Sequence, residues 1–222
     1  MVSLVYTLKT LKYFDPQLFD YILLVPSMYY LRAEVNVPCF LETDYRKGLT
    51  PRSLAVKQAK HYREGDFLVG PDLLSNPKAT LKNIKEWRKI HEIIGTKGVR
   101  FLGALQFKTL KEAYTLLDEY EGLVDAVGVG YYTCLNAGLT QEEIISLARE
   151  VKERGFHLHL FGFSITMWRE RLQLYRLADT IDSISIARKS FRRFLDEVRK
   201  AKNMVEKQQL FFLQANNIGV ST

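Results

Sequence analysis

The feature that most constrains this chain is an alternation. Short β-branched or apolar runs recur at Tyr21–Val25, Pro38–Leu41, Phe67–Val69, Val99–Leu105, Val124–Val129, His157–Phe161 and Thr180–Ile186, and Val2–Leu8 is a candidate eighth. Segments with helical periodicity separate most of them. Strand, loop and helix in repetition predict parallel strands joined by right-handed crossovers. The helix starts are legible too. Thr50 precedes Pro51 and Asn76 precedes Pro77, an N-cap followed by proline in the first turn. Thr109 with Glu112 and Thr140 with Glu143 have capping-box spacing, and Gly95, Gly122 and Gly155 stand where helices stop. Trp87, Ile90 and Ile94 read as a helix stripe facing the core.

The expected architecture is α/β, a (β/α)8 TIM-barrel-like single domain over residues 1–188; an open doubly wound sheet is the second choice. Residues 189–222 are expected to form a basic C-terminal helix packed on the barrel. Within it Leu195, Val198, Ala201, Met204 and Val205 recur at helical spacing, and Arg188, Lys189, Arg192 and Arg193 crowd its start. Cations there oppose the helix dipole, so phosphate contact or a solvated basic surface must account for them.

Composition bears on partners. A chain of 222 residues, 47% hydrophobic, can bury one core with its whole length. A net charge of +7 favours polyanionic partners, because each neutralised phosphate releases counterions. The chain has no signal-peptide pattern and no apolar run long enough for a bilayer, so a cytoplasmic protein with no membrane partner is expected. Cys39 and Cys134 make neither a disulfide framework nor a four-thiolate site, and no metal-ligand spacing occurs among the histidines, so no metal is expected. Nor is a cofactor expected, because no glycine-rich nucleotide motif is present.

In either fold the chemistry belongs at the carboxyl ends of the strands. Glu42 and Asp44 follow the second run, Asp72 the third, Gln106 ends the fourth, and Asp182 lies in the last. A carboxylate between Ile181 and Ile184 is costly to bury unpaired. Catalysis and a buried pair with Arg or Lys both answer that cost. Gly128, Gly130 and Gly162 at strand ends would let a flat ligand approach backbone, and tight turns explain them equally well. His157 and His159 share one side of a strand. They are expected to pack against a neighbouring helix and bond to backbone, with a functional pair as the alternative.

The order of these segments resembles the tRNA-guanine transglycosylase superfamily, whose members exchange guanine for a 7-deazaguanine base. Residues 179–188, Asp-Thr-Ile-Asp-Ser-Ile-Ser-Ile-Ala-Arg, resemble the family segment Asp-x-Phe-Asp-Cys-Val-x-Pro-Thr-Arg. That resemblance makes Asp182 the nucleophile on the sugar C1′ and Arg188 a backbone-contacting cation, with Lys189 and Arg192 on phosphates. Phe67–Asp72 and Phe101–Gln106 look like the strands that carry a base-reading Asp and Gln. Residues 127–130 resemble a segment, here Gly128, Val129 and Gly130, whose backbone meets the base. His159–Gly162 resembles Tyr-Leu-Met-Gly, which gives Phe161 and Gly162 a place on the base face.

The family's Asp-Ser-Gly-Gly appears only as Leu41–Tyr45, with Glu42 as the implied acid/base, Asp44 the second choice and Tyr45 a stacking partner. The zinc subdomain is absent and the chain is short, which fits a minimal version acting on DNA. The resemblance implies nucleic acid (DNA or tRNA) and a 7-deazaguanine-type base as partners, and it allows a homodimer. A non-catalytic nucleic-acid-binding relative and an unrelated TIM-barrel enzyme on a small phosphorylated metabolite are the alternatives.

Overall fold

The computed structural model describes residues 3–6, 19–43, 50–163 and 171–182, together with 196, 199, 200, 203 and 204. Eight strands form a closed barrel in chain order: β1 Ser3–Tyr6, β2 Tyr21–Leu24, β3 Cys39–Leu41, β4 Phe67–Val69, β5 Arg100–Leu105, β6 Ala126–Gly130, β7 His157–Phe161 and β8 Thr180–Asp182. Every neighbouring pair is parallel. β8 closes on β1 with Ser3 opposite Thr180 and Val5 opposite Asp182. The outer layer carries α1 Pro51–Ala59, α2 Pro77–Ile94, α3 Leu110–Tyr120, α4 Tyr131–Asn136, α5 Gln141–Glu153 and α6 Leu172–Leu177, with a short 3₁₀ helix at Tyr29–Glu34. Among the described residues no helix is long and apolar enough to cross a membrane. The expected barrel is thus the observed fold, and its first strand, Ser3–Tyr6, falls within the candidate eighth run.

The helix boundaries follow their caps. The side chains of Thr50, Asn76, Thr109 and Thr140 accept the N–H groups of Ser53, Ala79, Glu112 and Glu143. In α5 Glu143 also reaches back to the Thr140 N–H at 2.8 Å, completing a capping box. Gly95 ends α2 at φ 78°, a left-handed position open to glycine without cost. The stripe on α2 differs from expectation by one turn. Ile84, Trp87 and His91 are its buried face, whereas Ile94 is 43% exposed. Of the long C-terminal helix, Asp196, Arg199, Lys200, Asn203 and Met204 are helical. Its start at Arg188 and any packing on the barrel lie outside the described residues.

Successive strand residues divide between two apolar clusters, as a pleat requires. Ile22, Leu41, Leu68, Val127, Leu160 and Ile181 join the helices in the larger one. Val5, Leu23, Phe40, Phe67, Leu102 and Ala126 fill the bore. Within the bore Phe40 stacks on Phe67 at 4.4 Å, and the Arg100 guanidinium lies 3.9 Å over the Phe67 ring. Such ring contacts contribute roughly 0.5–1.5 kcal/mol each beyond the area they bury.

His157 and His159 belong to this interior, which corrects the expectation of a pair packed on a helix and bonded to backbone. His159 contacts the rings of Phe40 at 4.7 Å and Phe161 at 4.3 Å. Thr180 Oγ1 joins the two imidazoles, 3.0 Å from His157 Nε2 and 2.9 Å from His159 Nδ1. A hydroxyl has one proton to give, so when it donates to one ring the other ring must donate to it. Burial pushes His157 down to about 4 and His159 well below the ordinary imidazole range.

At the opposite end from the loops that follow the strands, aspartates grip the barrel. Asp66, Asp125 and Asp179 each immediately precede an even-numbered strand. Each carboxylate accepts a backbone N–H near the start of the strand before it: Cys39, Phe101 and Leu158, all at 2.8 Å. Asp20 holds the same place before β2. The Asp66 clamp is the most deeply buried. It also accepts from Arg32 Nε at 2.8 Å, Arg32 Nη2 at 2.9 Å and the Arg63 N–H at 2.9 Å.

Candidate functional site

Because all eight strands run the same way, their carboxyl ends share one rim. Glu42 follows β3, Asp72 follows β4, Gln106 follows β5, Gly130 ends β6, Phe161 ends β7 and Asp182 ends β8. Asp44 and Tyr45, and the cations Arg188, Lys189 and Arg192, lie outside the described residues.

Asp182 shares the inward face of β8 with Thr180, since Ile181 between them packs outward. It is 5% exposed and accepts the Gly162 N–H. Among the described residues it has no ion-pair partner; Arg169, Arg188 and Lys189, cations near it in sequence, lie outside them. Burial raises its carboxyl to about 7, against the opposing effect of the bonds from the Gly162 N–H and its own N–H. An acid in that state is divided between neutral and ionised forms at physiological pH.

Asp72 and Gln106 form a second polar unit. Gln106 Nε2 donates to Asp72 Oδ2 at 2.5 Å. Burial raises the Asp72 carboxyl, and the bond from Gln106 counters part of that shift. Gln106 Oε1 accepts from the Ser75 N–H at 3.0 Å and from Thr133 Oγ1 at 3.4 Å. Glu42 is half-buried at the same rim, and its carbonyl accepts from the Tyr29 hydroxyl at 2.5 Å.

The glycines have separate tasks. A Cβ on Gly128 would overlap the edge of the Phe161 ring, so this residue makes room for Phe161 inside the bore. Phe161 is held also by the edge contact with His159 and packs on the inner apolar cluster. Val129 turns its side chain outward to the helices and sits in the ladder between Leu105 and Leu160. Gly130 caps α4, and a Cβ there would come within 3.1 Å of Thr133 Oγ1. Gly162, at φ 71°, turns the chain so that its N–H meets Asp182. Gly128→Ala is expected to displace the Phe161 ring and cost about 1–3 kcal/mol, as overpacking does. Urea denaturation with near-ultraviolet circular dichroism checks it; an unchanged midpoint would mean that the ring moves aside freely.

Sequence reasoning missed Ser75, Thr133 and Tyr120. Thr133 lies on α4, six residues long and too short to show a period. Ser75 belongs to the Ser-Asn-Pro stretch that starts α2, where its turn chemistry was a visible signal. Tyr120 is buried on α3 and donates to the Ala104 carbonyl at 2.8 Å, a contact that Gly103 permits by lacking a side chain. Among the described residues no group of three or more His, Cys, Asp or Glu is arranged to hold a metal ion. Comparison with family models gives no match, and comparison with curated proteins gives none either.

Proposed function

We propose that this chain is a nucleic-acid base-exchange glycosyltransferase, which replaces guanine in DNA or tRNA by a 7-deazaguanine-type base. The observation that carries the reading is a buried carboxyl, Asp182, with no ion-pair partner among the described residues, on the same barrel rim as the Asp72–Gln106 pair. A buried carboxyl that no cation among the described residues neutralises is expensive to ionise, and such groups cluster at functional sites.

In the first step an Asp182 oxygen attacks C1′ and the bond from C1′ to the guanine nitrogen breaks. The electron pair leaves with the base, and a proton from Glu42 or Asp44 neutralises it. In the second step the incoming base gives its N–H proton to the same carboxylate. Its nitrogen then attacks C1′, and the ester to Asp182 breaks. Asp72 accepts from the base N–H groups and Gln106 donates to its carbonyl. Phe161 lies beneath the ring, Tyr45 stacks on it, and the backbone of Gly128–Gly130 and Gly162 borders it. The target nucleotide must leave its stack to enter. Arg188, Lys189 and Arg192 hold phosphates, which makes binding steeply salt-dependent.

The test is a covalent adduct. Protein incubated with guanine-containing DNA oligonucleotides, and separately with tRNA, should give a band on a denaturing gel that Asp182→Asn abolishes. Tight, salt-sensitive binding without adduct or base release would leave a non-catalytic nucleic-acid-binding relative. Indifference to both polymers would favour an enzyme acting on a small phosphorylated metabolite.

A further inference from the structure

A carboxamide has two orientations that differ only in which side carries oxygen, and the groups around Gln106 admit one of them. The Ser75 N–H, 3.0 Å away, can only donate, so it must face Oε1. The Thr133 hydroxyl approaches the same oxygen at 3.4 Å. Two donors occupy the two lone pairs of that oxygen, which is thereby spent. The nitrogen gives one hydrogen to Asp72 Oδ2 and keeps one. Asp72, a carboxyl with several acceptor sites, keeps capacity beyond that bond. The surroundings are built for this result. Ser75 has φ 54°, and it is the one non-glycine residue with positive φ among the described residues. Thr133 is buried on the first turn of α4, and its hydroxyl fits because residue 130 has no side chain.

We propose that Ser75 and Thr133 are specificity-determining positioning residues. They lock the Gln106 carboxamide so that Asp72 and Gln106 present one acceptor beside one donor, the complement of a cis-lactam edge in which N–H adjoins C=O. This rests on the reading of the rim as a base site. Guanine and hypoxanthine carry such an edge. Adenine carries the reverse, an amino donor beside a ring-nitrogen acceptor, and would set like against like at both groups. Neither residue touches the base; both act through Gln106.

Binding of the free bases guanine, hypoxanthine and adenine to the full chain, measured by calorimetry, tests this apart from any chemistry on a polymer. The unsubstituted protein should prefer guanine and hypoxanthine to adenine by about a hundredfold or more. Thr133→Val, near in shape but without the hydroxyl, should lower that ratio by about fivefold to tenfold through one lost hydrogen bond. Thr133→Ser should restore it. Gln106→Glu, which replaces the donor by an acceptor, should abolish the preference. Thermal melts identify any variant that fails to fold, and the Thr133→Ser comparison then carries the test.

A ratio that Thr133→Val leaves unchanged, or an unsubstituted chain that binds no lactam base, overturns the proposal. Base exchange on a polymer with an unmoved ratio would sink the positioning role alone. A ratio that behaves as described with no exchange on any polymer would sink the transglycosylase reading alone.

Discussion

At pH 8 the Asp182→Asn variant is expected to be more stable than the unsubstituted chain, and at pH 4 the two should converge. The unfolded carboxyl titrates near 3.8 and the folded one near 7. Between those values the folded chain holds a proton that the unfolded chain has released, so stability falls as pH rises through the window and is constant above it. One unit of such a difference corresponds to about 1.4 kcal/mol, which sets an upper bound of about 4 kcal/mol for the gain at pH 8. Asparagine keeps the shape and can still accept the Gly162 N–H, so the difference isolates the charge. Urea denaturation at pH 4, 6 and 8 measures it. Parallel stability curves, or a variant weaker than the parent at pH 8, would mean that a cation neutralises Asp182 in the folded chain. The same titration governs the proposed chemistry. In that chemistry Asp182 must be ionised while Glu42 or Asp44 still carries its proton, so adduct formation should climb with pH toward about 7 and fall again once that acid is deprotonated.

The second large effect concerns the other end of the barrel. Asp66→Ala is expected to cost about 3–5 kcal/mol, because it strands the Arg32 guanidinium in a site where that side chain is 5% exposed. It also leaves the Cys39 and Arg63 N–H groups without their carboxylate. For a domain of this size the melting temperature should drop by about 10 °C. Asp179→Ala should cost less, because Asp179 and its partner Lys152 are each about a third exposed and water can replace what is lost. Chemical denaturation of both variants gives the ranking, and a loss at Asp66 below about 1 kcal/mol would show that the barrel re-forms those bonds elsewhere. Neither substitution touches the rim, so whatever adduct formation the unsubstituted chain shows should persist in both variants while they stay folded.

Much of this architecture was legible because local chemistry specifies it. Strands covered on both faces have no polar side, which is why Cys39–Leu41 and Phe67–Val69 stand out as apolar runs. Thr50, Asn76, Thr109 and Thr140 act on groups three residues away, so their role is readable without knowing the fold. The same two-sided burial hid other things. Periodicity puts His157 and His159 on one face, but it cannot say whether that face meets a helix or the bore. The aspartate clamps were invisible because Asp66 and Asp125 bond to residues 27 and 24 positions away. At the rim, order along the chain was enough to pick out Asp72, Gln106 and Asp182. The hydrogen bonds that orient Gln106 come from Ser75 and Thr133 on two different connections, and only the folded arrangement joins them.

The clamps group the strands in twos: β3 with β4, β5 with β6, β7 with β8. A chain emerging from its amino end can secure each couple as soon as the second member appears. The seam left for last joins Thr180 to Ser3 and Asp182 to Val5, the opposite ends of the described barrel. The residue proposed to do the chemistry thus sits on that final joint. Its enclosure, and the proton affinity that enclosure creates, arise only when the ring is complete.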